Sequence, residues 1–464
     1  SAKVHGRISD NVMNCAYGSA SVAVSAADSS ELRMDYSGND LSQTGGDGMT
    51  VRTQGTAYLN LSVRNSRFNA IGGQALILAD SSDATGSLRA NVHDNLFQTV
   101  GGNGVRVEST GAADFYLRIA DNSMSSVNSS TASAAILVDG TSGAAGSNVD
   151  LIVTGNVIVP GAGNAIELRQ AAPGTMRLEG AAANAAQQLA DTNPATPIAT
   201  SGTITMVATG TVDPQIPLEL SGLSWLDNDK NGVRATGDNA ELPAQDVMFT
   251  LTGTETGAGR SVSLQSRSDD QGVYLFAGLL PGTFTVTVIP PLGMVVSPSN
   301  QGTDDTLDSD FSTTTRTASV TLAALTSEST NDAGVRQTWQ NSTNRRDVDN
   351  DTFVVPRDVL IIINTLNSEG ARELPTPTPG GAGPPPYYDV NGDGFVAPND
   401  ALVIINFLNG ATSGEGEAAA PTVGTSETGA GDAGTSETTA ALADAVFAAE
   451  SWNSRRRSAG RAGG

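Results

Sequence analysis

The chain has 464 residues, too many for one ordinary hydrophobic core, so two to four domains are expected. Aromatic residues make up 5% of it while glycine numbers 52 and proline 20, a balance that suits glycine-turned β structure and linkers better than a large helical enzyme. A formal charge of −24 with only two lysines, Lys3 and Lys230, argues against nucleic acid, whose phosphates need clustered bases, and favours a cation as partner. Cys15 is the single cysteine, so no internal disulfide holds the chain, and an extracellular protein of this kind needs another stabiliser such as bound metal. No apolar run approaches the roughly 18 residues of a membrane span, and none reads as a signal peptide. The sequence opens at Ser1 inside a repeat, as expected of a piece of a longer chain.

Residues 1–212 carry that repeat. SDNVM, SGNDL, RNSRF, HDNLF, ADNSM and TGNVI recur around Asn11, Asn39, Ser66, Asn95, Asn122 and Asn156 at steps of 27 to 34 residues. Alternating segments such as LNLSVRN and FYLRIADN precede most of them, and a glycine-containing turn with a second strand follows (GMTV, GVRV, AIEL). Short strands at near-constant spacing predict coils stacked about one axis. This portion resembles right-handed parallel β-helix proteins, and its recurring asparagine resembles their internal ladder. Such relatives include polysaccharide lyases and hydrolases, which need carboxylates gathered with Arg, Lys or His on one outer face. Here His5 and His93 occur singly, and no acid and base pair can be assembled, so no catalytic residue is assigned. The turn column Asp47, Gln74, Asn103 and Asn164 reads as polar residues satisfying backbone groups, with a sugar-binding groove as the alternative. Residues 181–203 lose the pattern and are expected to cap the solenoid.

Residues 213–337 alternate as VMFTLTG, SVSLQS, GVYLF and TFTVTVIPP between Gly and Pro turns, which predicts a β-sandwich. DQGVYLFAGLLPGTFTV resembles the signature of Cna B-type domains, with Phe284 in place of the usual tyrosine. SWLDNDKNGV and GTDDTLDSDF resemble the acidic segments of the calcium-binding B domains in serine-aspartate repeat surface proteins. In the first segment Asp227, Asp229 and Asn231 alternate so that their oxygens can converge, the carbonyl of Val233 follows, and Gly232 allows the turn. Asp238 stands at the twelfth position, but relatives usually place Glu there, so Glu241 competes with it. In the second, Asp304, Asp305, Asp308 and Asp310 would repel one another unless a divalent ion intervened. Many Cna B-type domains form a Lys to Asn or Asp isopeptide bond. None is expected here, because Lys230 lies inside the acidic loop.

Residues 338–410 contain DVDNDTFVVPRD and, 42 residues later, DVNGDGFVAPND. Oxygen ligands at positions one, three, five, seven and twelve can surround one calcium ion: Asp347, Asp349, Asp351, Phe353 and Asp358, then Asp389, Asn391, Asp393, Phe395 and Asp400, the phenylalanines through their carbonyls. Thr352 replaces the usual glycine at position six of the first loop, which should strain its turn. The apolar helices VLIIINTLN and ALVIINFLN follow the loops and are expected to bury each other. Loop plus helix, twice, resembles a dockerin type I domain. The resemblance implies calcium binding and, through positions ten and eleven, a cohesin partner. Those positions are Pro356 with Arg357 and Pro398 with Asn399, not the usual Ser and Thr, which leaves the partner open. ELPTPTPGGAGPPPYY reads as a semi-rigid spacer and lacks the glycine of a sortase signal.

The tail, 411–464, is low in complexity, with Leu442, Val446 and Ala449 at helical spacing beside Trp452 before a basic end. The whole reads as a mainly β protein: a parallel β-helix, a calcium-binding sandwich, a small α dockerin-like module with two calcium loops, then the tail. A secreted or cell-surface structural and adhesive role in a bacterium follows, anchored through a cohesin-like or other cell-surface protein. The alternative is a carbohydrate-active protein whose β-helix binds or cleaves polysaccharide.

Overall fold

The structure is a computed structural model that describes residues 2–14, 20–127, 134–237, 240–256, 259–291, 294–341, 343–375 and 384–411. Cys15, Asp238 and the expected helix around Leu442 lie outside them. The first 207 residues wind as a parallel β-solenoid with sheets of eight, six and seven strands. Each coil gives one strand to each sheet in turn, as with Ser87–His93, Leu96–Val100 and Val105–Glu108. The eight-stranded sheet pairs in parallel without slipping across its middle, Ser87 opposite both Tyr58 and Asp114. Inward positions are apolar, and Phe68 and Phe97 of adjacent coils stack with ring centroids 4.9 Å apart.

The recurring asparagine does the work that the coil corners need. At each corner the chain passes through a left-handed residue, Asp10, Gly38, Asn65, Asp94, Asp121 or Gly155, which frees the next amide from strand pairing. That amide is then bonded by the neighbouring coil: Asn95 N donates to Asn122 Oδ1 at 3.1 Å, and Asn122 N to Asn156 Oδ1 at 3.2 Å. Asn122 Nδ2 donates in turn to the carbonyls of Val92 and Ala120, both at 2.9 Å. Ser66 holds its rung through Oγ, 3.1 Å from Asn39 N. Residues 181–203 keep the winding: the helix Ala185–Thr192 replaces one strand, and Asn193, just past its end, adds a further rung, its Oδ1 accepting from Asn156 N at 3.0 Å. The strands Ile198–Ser201 and Ile204–Val207 then extend two of the sheets.

A sandwich follows, with two four-stranded sheets. One contains Leu218–Leu226, Val273–Leu279, Met294–Val296 and Ala333–Gln337, the other Met248–Glu255, Arg260–Arg267, Gly282–Ile289 and Thr317–Leu322. Phe249 stacks on Tyr274 at 3.7 Å in its core, and the Tyr274 hydroxyl donates to Asn331 O at 2.6 Å. The strand Val273–Leu279 docks on the outer face of the eight-stranded solenoid sheet. There Arg33, 1% exposed, donates to Glu255 at 2.6 and 3.2 Å, to Glu31 at 2.7 Å and to the Gly278 carbonyl. Asn60 Nδ2 donates to the same carbonyl at 2.6 Å, and Arg64 pairs with Glu219 at 2.8 Å. His5 Nε2 accepts the Ala277 N–H at 2.9 Å. Burial, helped by the charge of Arg33, lowers its pKa to about 4, so it stays neutral and able to accept near pH 7. Gly278 sits at φ 68°, and a Cβ there would crowd Arg33 and Asn60 at 3.0 and 3.1 Å.

Beyond the sandwich, the helices Pro356–Glu369 and Pro398–Ala411 pack around Trp339, Val348, Ile362, Leu374, Val390 and Ile404.

Two substitutions test this architecture. Asn122→Ala should destabilise the chain by about 2–4 kcal/mol, because the amide of Asn95 and the carbonyl of Val92 lose their partner in a dry interior; the shift of the urea midpoint measures it. Arg33→Ala should cost about 3–5 kcal/mol by stranding the buried Glu255 carboxylate. Adding Glu255→Gln should restore part of that loss, whereas equal loss in single and double variants would show that the ion pair is not what holds the interface.

Candidate metal-binding loops

Three loops share one backbone conformation. In each, the first aspartate is nearly buried and gathers the amides of its own turn: Asp227 accepts from Asn231 N at 3.2 Å and Gly232 N at 3.0 Å. Asp347 accepts from Asp351 N at 3.1 Å and Thr352 N at 2.8 Å, and Asp389 from Asp393 N at 3.0 Å and Gly394 N at 2.9 Å. The fifth-position side chain accepts from the seventh amide in all three, Asn231 from Val233 at 2.6 Å, Asp351 from Phe353 at 2.9 Å and Asp393 from Phe395 at 3.0 Å. The fourth and sixth residues are left-handed throughout: Lys230 and Gly232, Asn350 and Thr352, Gly392 and Gly394. The second dockerin-like loop therefore has glycine at both strained positions. The first has none, and its Thr352 holds φ 76° as a β-branched residue.

The last acid of each loop closes it. Asp358 accepts from Val348 N at 2.6 Å and Val355 N at 2.9 Å, the second and ninth amides of its loop. Asp400 does the same with Val390 N and Ala397 N, both at 2.8 Å. In the sandwich loop the second and ninth amides, Asn228 N at 2.7 Å and Ala235 N at 3.1 Å, go to Glu241. Glu241 also brings a carboxylate oxygen within 4.8 Å of those of Asp227 and Asp229. Between the two candidates for this position, Glu241 has the closing geometry, and Asp238 lies outside the described residues.

Oxygens cluster elsewhere as hard cations require. Asp347, Asp349 and Asp351 have carboxylate oxygens within 4.8 Å of one another, as do Asp305, Asp308 and Asp310. Asp349 Oδ1 and Asp308 Oδ1 are buried without a hydrogen-bond partner, which fits sites built for a cation. Asn391 Nδ2 instead donates to Asp393 at 2.9 Å, and Arg357 Nε lies 3.2 Å from Asp349 Oδ2. The second acidic segment is stitched to the first loop of the sandwich, Ser309 N donating to Gly232 O at 3.0 Å and Val233 bridging Asp308. Asp304 stays out of this cluster: fully exposed, it caps its own turn through Thr306 N at 3.1 Å and Thr306 Oγ1 at 2.7 Å. The backbone of Asp332 meets the cluster instead, its N–H donating to Asp310 Oδ2 at 2.6 Å while its carboxylate accepts from Leu223 N at 2.7 Å.

Electrostatics follow the crowding. Burial, with the charges of Asp305, Asp332 and Asp308, pushes Asp310 up to about 7. Burial, with Asp308 and Asp305, takes Asp332 to about 6, and burial, with Asp389, takes Asp400 to about 6. Glu241 is also raised, by burial and by Asp227 and Asp229.

The turn column of the solenoid is occupied by its own backbone: Asp47 accepts from Gln74 N at 2.8 Å, Gln74 from Asn103 N at 2.6 Å, and Asn103 donates to the Ala134 carbonyl. Asn164 Nδ2 lies 3.2 Å from Glu167. His93 pairs with Asp94 at 2.7 Å.

A β-solenoid, a sandwich with acidic loops and a paired-loop helical module thus follow one another along the chain. Residues 219–335 match the SdrD B-like domain, and residues 345–409 and 387–422 match the dockerin type I domain. A fibrinogen-binding protein of Staphylococcus epidermidis is 35% identical over 102 residues, which are 22% of this chain and 9% of that protein. Serine-aspartate repeat-containing protein C of Staphylococcus aureus (strain N315) is 31% identical over 91 residues, 20% of this chain and 9% of that protein. The chain thus spans under a tenth of either relative's length. Among solved structures, the full-length major pilin SpaD of Corynebacterium diphtheriae is similar at 14% identity over 28% of this chain and 34% of its own, with a TM-score of 0.18.

Asp310, Asp332 and Asp400 bind a proton more tightly folded than unfolded, where their carboxyls titrate near 3.8. In chelator their contribution to stability is therefore least above about pH 7 and grows as the pH falls toward 4, while a bound cation favours the carboxylates and reverses the sign. The gap between melting temperatures in calcium and in EDTA should narrow from pH 8 to pH 5.5, and a gap that widens would contradict this assignment.

Proposed function

We propose that this is a structural and adhesive cell-surface protein whose sandwich and dockerin-like module are set by calcium, with the module anchoring the chain to a cohesin-like or other cell-surface partner. The observation that carries this reading is the recurrence of one amide-lined loop at Asp227, Asp347 and Asp389 in two unrelated surroundings. Asp227, Asp229, Asn231 and Glu241 with the Val233 carbonyl would hold one ion. Asp305, Asp308 and Asp310 offer a second set. The two dockerin-like loops supply Asp347, Asp349, Asp351 and Asp358 with the Phe353 carbonyl, and Asp389, Asn391, Asp393 and Asp400 with the Phe395 carbonyl. Bound calcium would supply positive charge where clustered carboxylates otherwise repel.

The module is tied to the sandwich through its second loop. Gln337 Nε2, at the end of the sandwich strand Ala333–Gln337, donates to Gly392 O at 3.3 Å, while within the module Asp389 N donates to Trp339 O and Gln340 Nε2 to Val390 O, both at 3.0 Å. The same strand accepts the Asp227 N–H on Val335 O at 2.9 Å, so one segment braces the first ligand of both loops. Around the first loop Phe353 and Leu360 stand 66% and 55% exposed beside Arg357, an apolar face with one cation that suits an anchoring partner.

Calorimetric titration of the full chain tests the calcium sites. Asp393→Ala should abolish the tightest step of the dockerin-like pair, and Asp351→Ala a weaker one, because the strain at Thr352 outweighs the extra carboxylate of Asp349. Glu241→Ala should remove the sandwich step while Asp238→Ala leaves it. Calcium at a hundredfold excess over Kd should add about 2.7 kcal/mol per filled site. Titrations unchanged by Asp393→Ala, Asp351→Ala and Glu241→Ala would end the calcium reading.

A further inference from the structure

The docking of sandwich on solenoid opens a cleft of 420 Å³ at the edge of their interface. Its walls come from both domains: Lys3, Glu31, Tyr58 and Arg89 from solenoid coils, Arg260 from the sandwich. Arg89 is only 7% exposed, lies over the rings of Tyr58 and Tyr116 at 4.6 and 4.7 Å, and donates to Gln215 and Ser87. Among the described residues no carboxylate lies within ion-pairing distance of it. Two ring faces and neutral acceptors meet the charge of Arg89 but no carboxylate does, so an anion entering the cavity would find a guanidinium without a counter-ion on its wall.

The surroundings reinforce it. Glu31 is already shared by Arg33 at 2.7 Å, Arg260 at 2.8 Å and Lys3 at 3.8 Å, and Arg33 is committed to Glu255. Asp114, on the rim, accepts from Asn148 at 2.7 Å. Three cations, Lys3, Arg89 and Arg260, thus line the cleft with two carboxylates, Glu31 and Asp114, a net positive spot in a chain of net charge −24. The remaining lining brings hydroxyls from Ser29, Ser30, Thr56 and Ser87 beside Ala57 and Gly86. Hydroxyls both donate and accept, which matches a sugar ring better than a peptide side chain. The volume falls in the range of roughly 300–1,000 Å³ usual for small-ligand sites.

We propose that this cleft binds a carboxylate-bearing sugar unit of a polysaccharide, with the acid group toward Arg89 and the hydroxyls along the serine and threonine wall. The site is separate from the calcium loops and exists only while the two domains are docked.

The test uses the full chain in calcium buffer, with trigalacturonate, neutral galactotriose and a hexaglutamate peptide as probes. Trigalacturonate should bind with an affinity that falls as salt rises, and Lys3→Ala or Arg260→Ala should each weaken it roughly tenfold, the scale of one charge-assisted hydrogen bond. Lys3 is well exposed, so its variant should keep the wild-type melting temperature, whereas Arg260→Ala and Arg89→Gln also remove contacts across the interface and serve as supporting variants. Arg67→Ala, on another solenoid sheet, should leave binding unchanged. The proposal fails if trigalacturonate does not bind, if galactotriose binds equally well, if hexaglutamate binds as tightly as trigalacturonate, or if binding survives Lys3→Ala and Arg260→Ala together.

Discussion

Arg33 is the point on which the two β domains meet. Its guanidinium is withdrawn from water, and burial alone would make it easier to deprotonate, yet Glu255 and Glu31 outweigh that penalty and raise its pKa. A pair of this kind contributes little through net charge attraction, because both ions give up hydration to form it. Its larger effect is geometric. Glu255 must face the solenoid, the Gly278 carbonyl must reach both Arg33 and Asn60, and the strand Val273–Leu279 is held against the sheet in one register. The orientation of the sandwich on the solenoid, and the cleft beside it, follow from that constraint.

The solenoid and the loops meet the same difficulty in different ways. A chain that turns sharply leaves amides without strand partners, and buried amides need acceptors. At the coil corners asparagine supplies the acceptor and passes the demand to the next coil, so Asn11 through Asn193 act as a column rather than as separate bonds. In the acidic loops aspartate supplies it within the turn, and the amides that converge on Asp227, Asp347 and Asp389 hold the oxygens where a divalent ion can use them. Hydrogen bonds within each turn thus bring the loop oxygens together, and the carboxylates crowded there repel one another.

The repeat, the alternating strands and the spacing of oxygens at positions one, three, five, seven and twelve were legible in the sequence, because each is set by local backbone geometry that recurs at fixed intervals. Duplication of the loop with its helix made the dockerin-like module readable for the same reason. Three features were decided only by tertiary structure. Asn193 continues the ladder although a helix interrupts the strand pattern before it, so the rung is visible only once the coil is wound. Glu241, one of the two candidates for the closing place of the sandwich loop, accepts the amides of Asn228 and Ala235, a geometry that counting along the turn does not give. Arg33 and Glu255 lie 222 residues apart, and Arg89 faces a wall contributed by Arg260. No periodicity relates such residues. Their meeting depends on how two finished domains fit together, which is why the sequence specified the loops and coils while the packed structure alone placed the ion pair and the cleft.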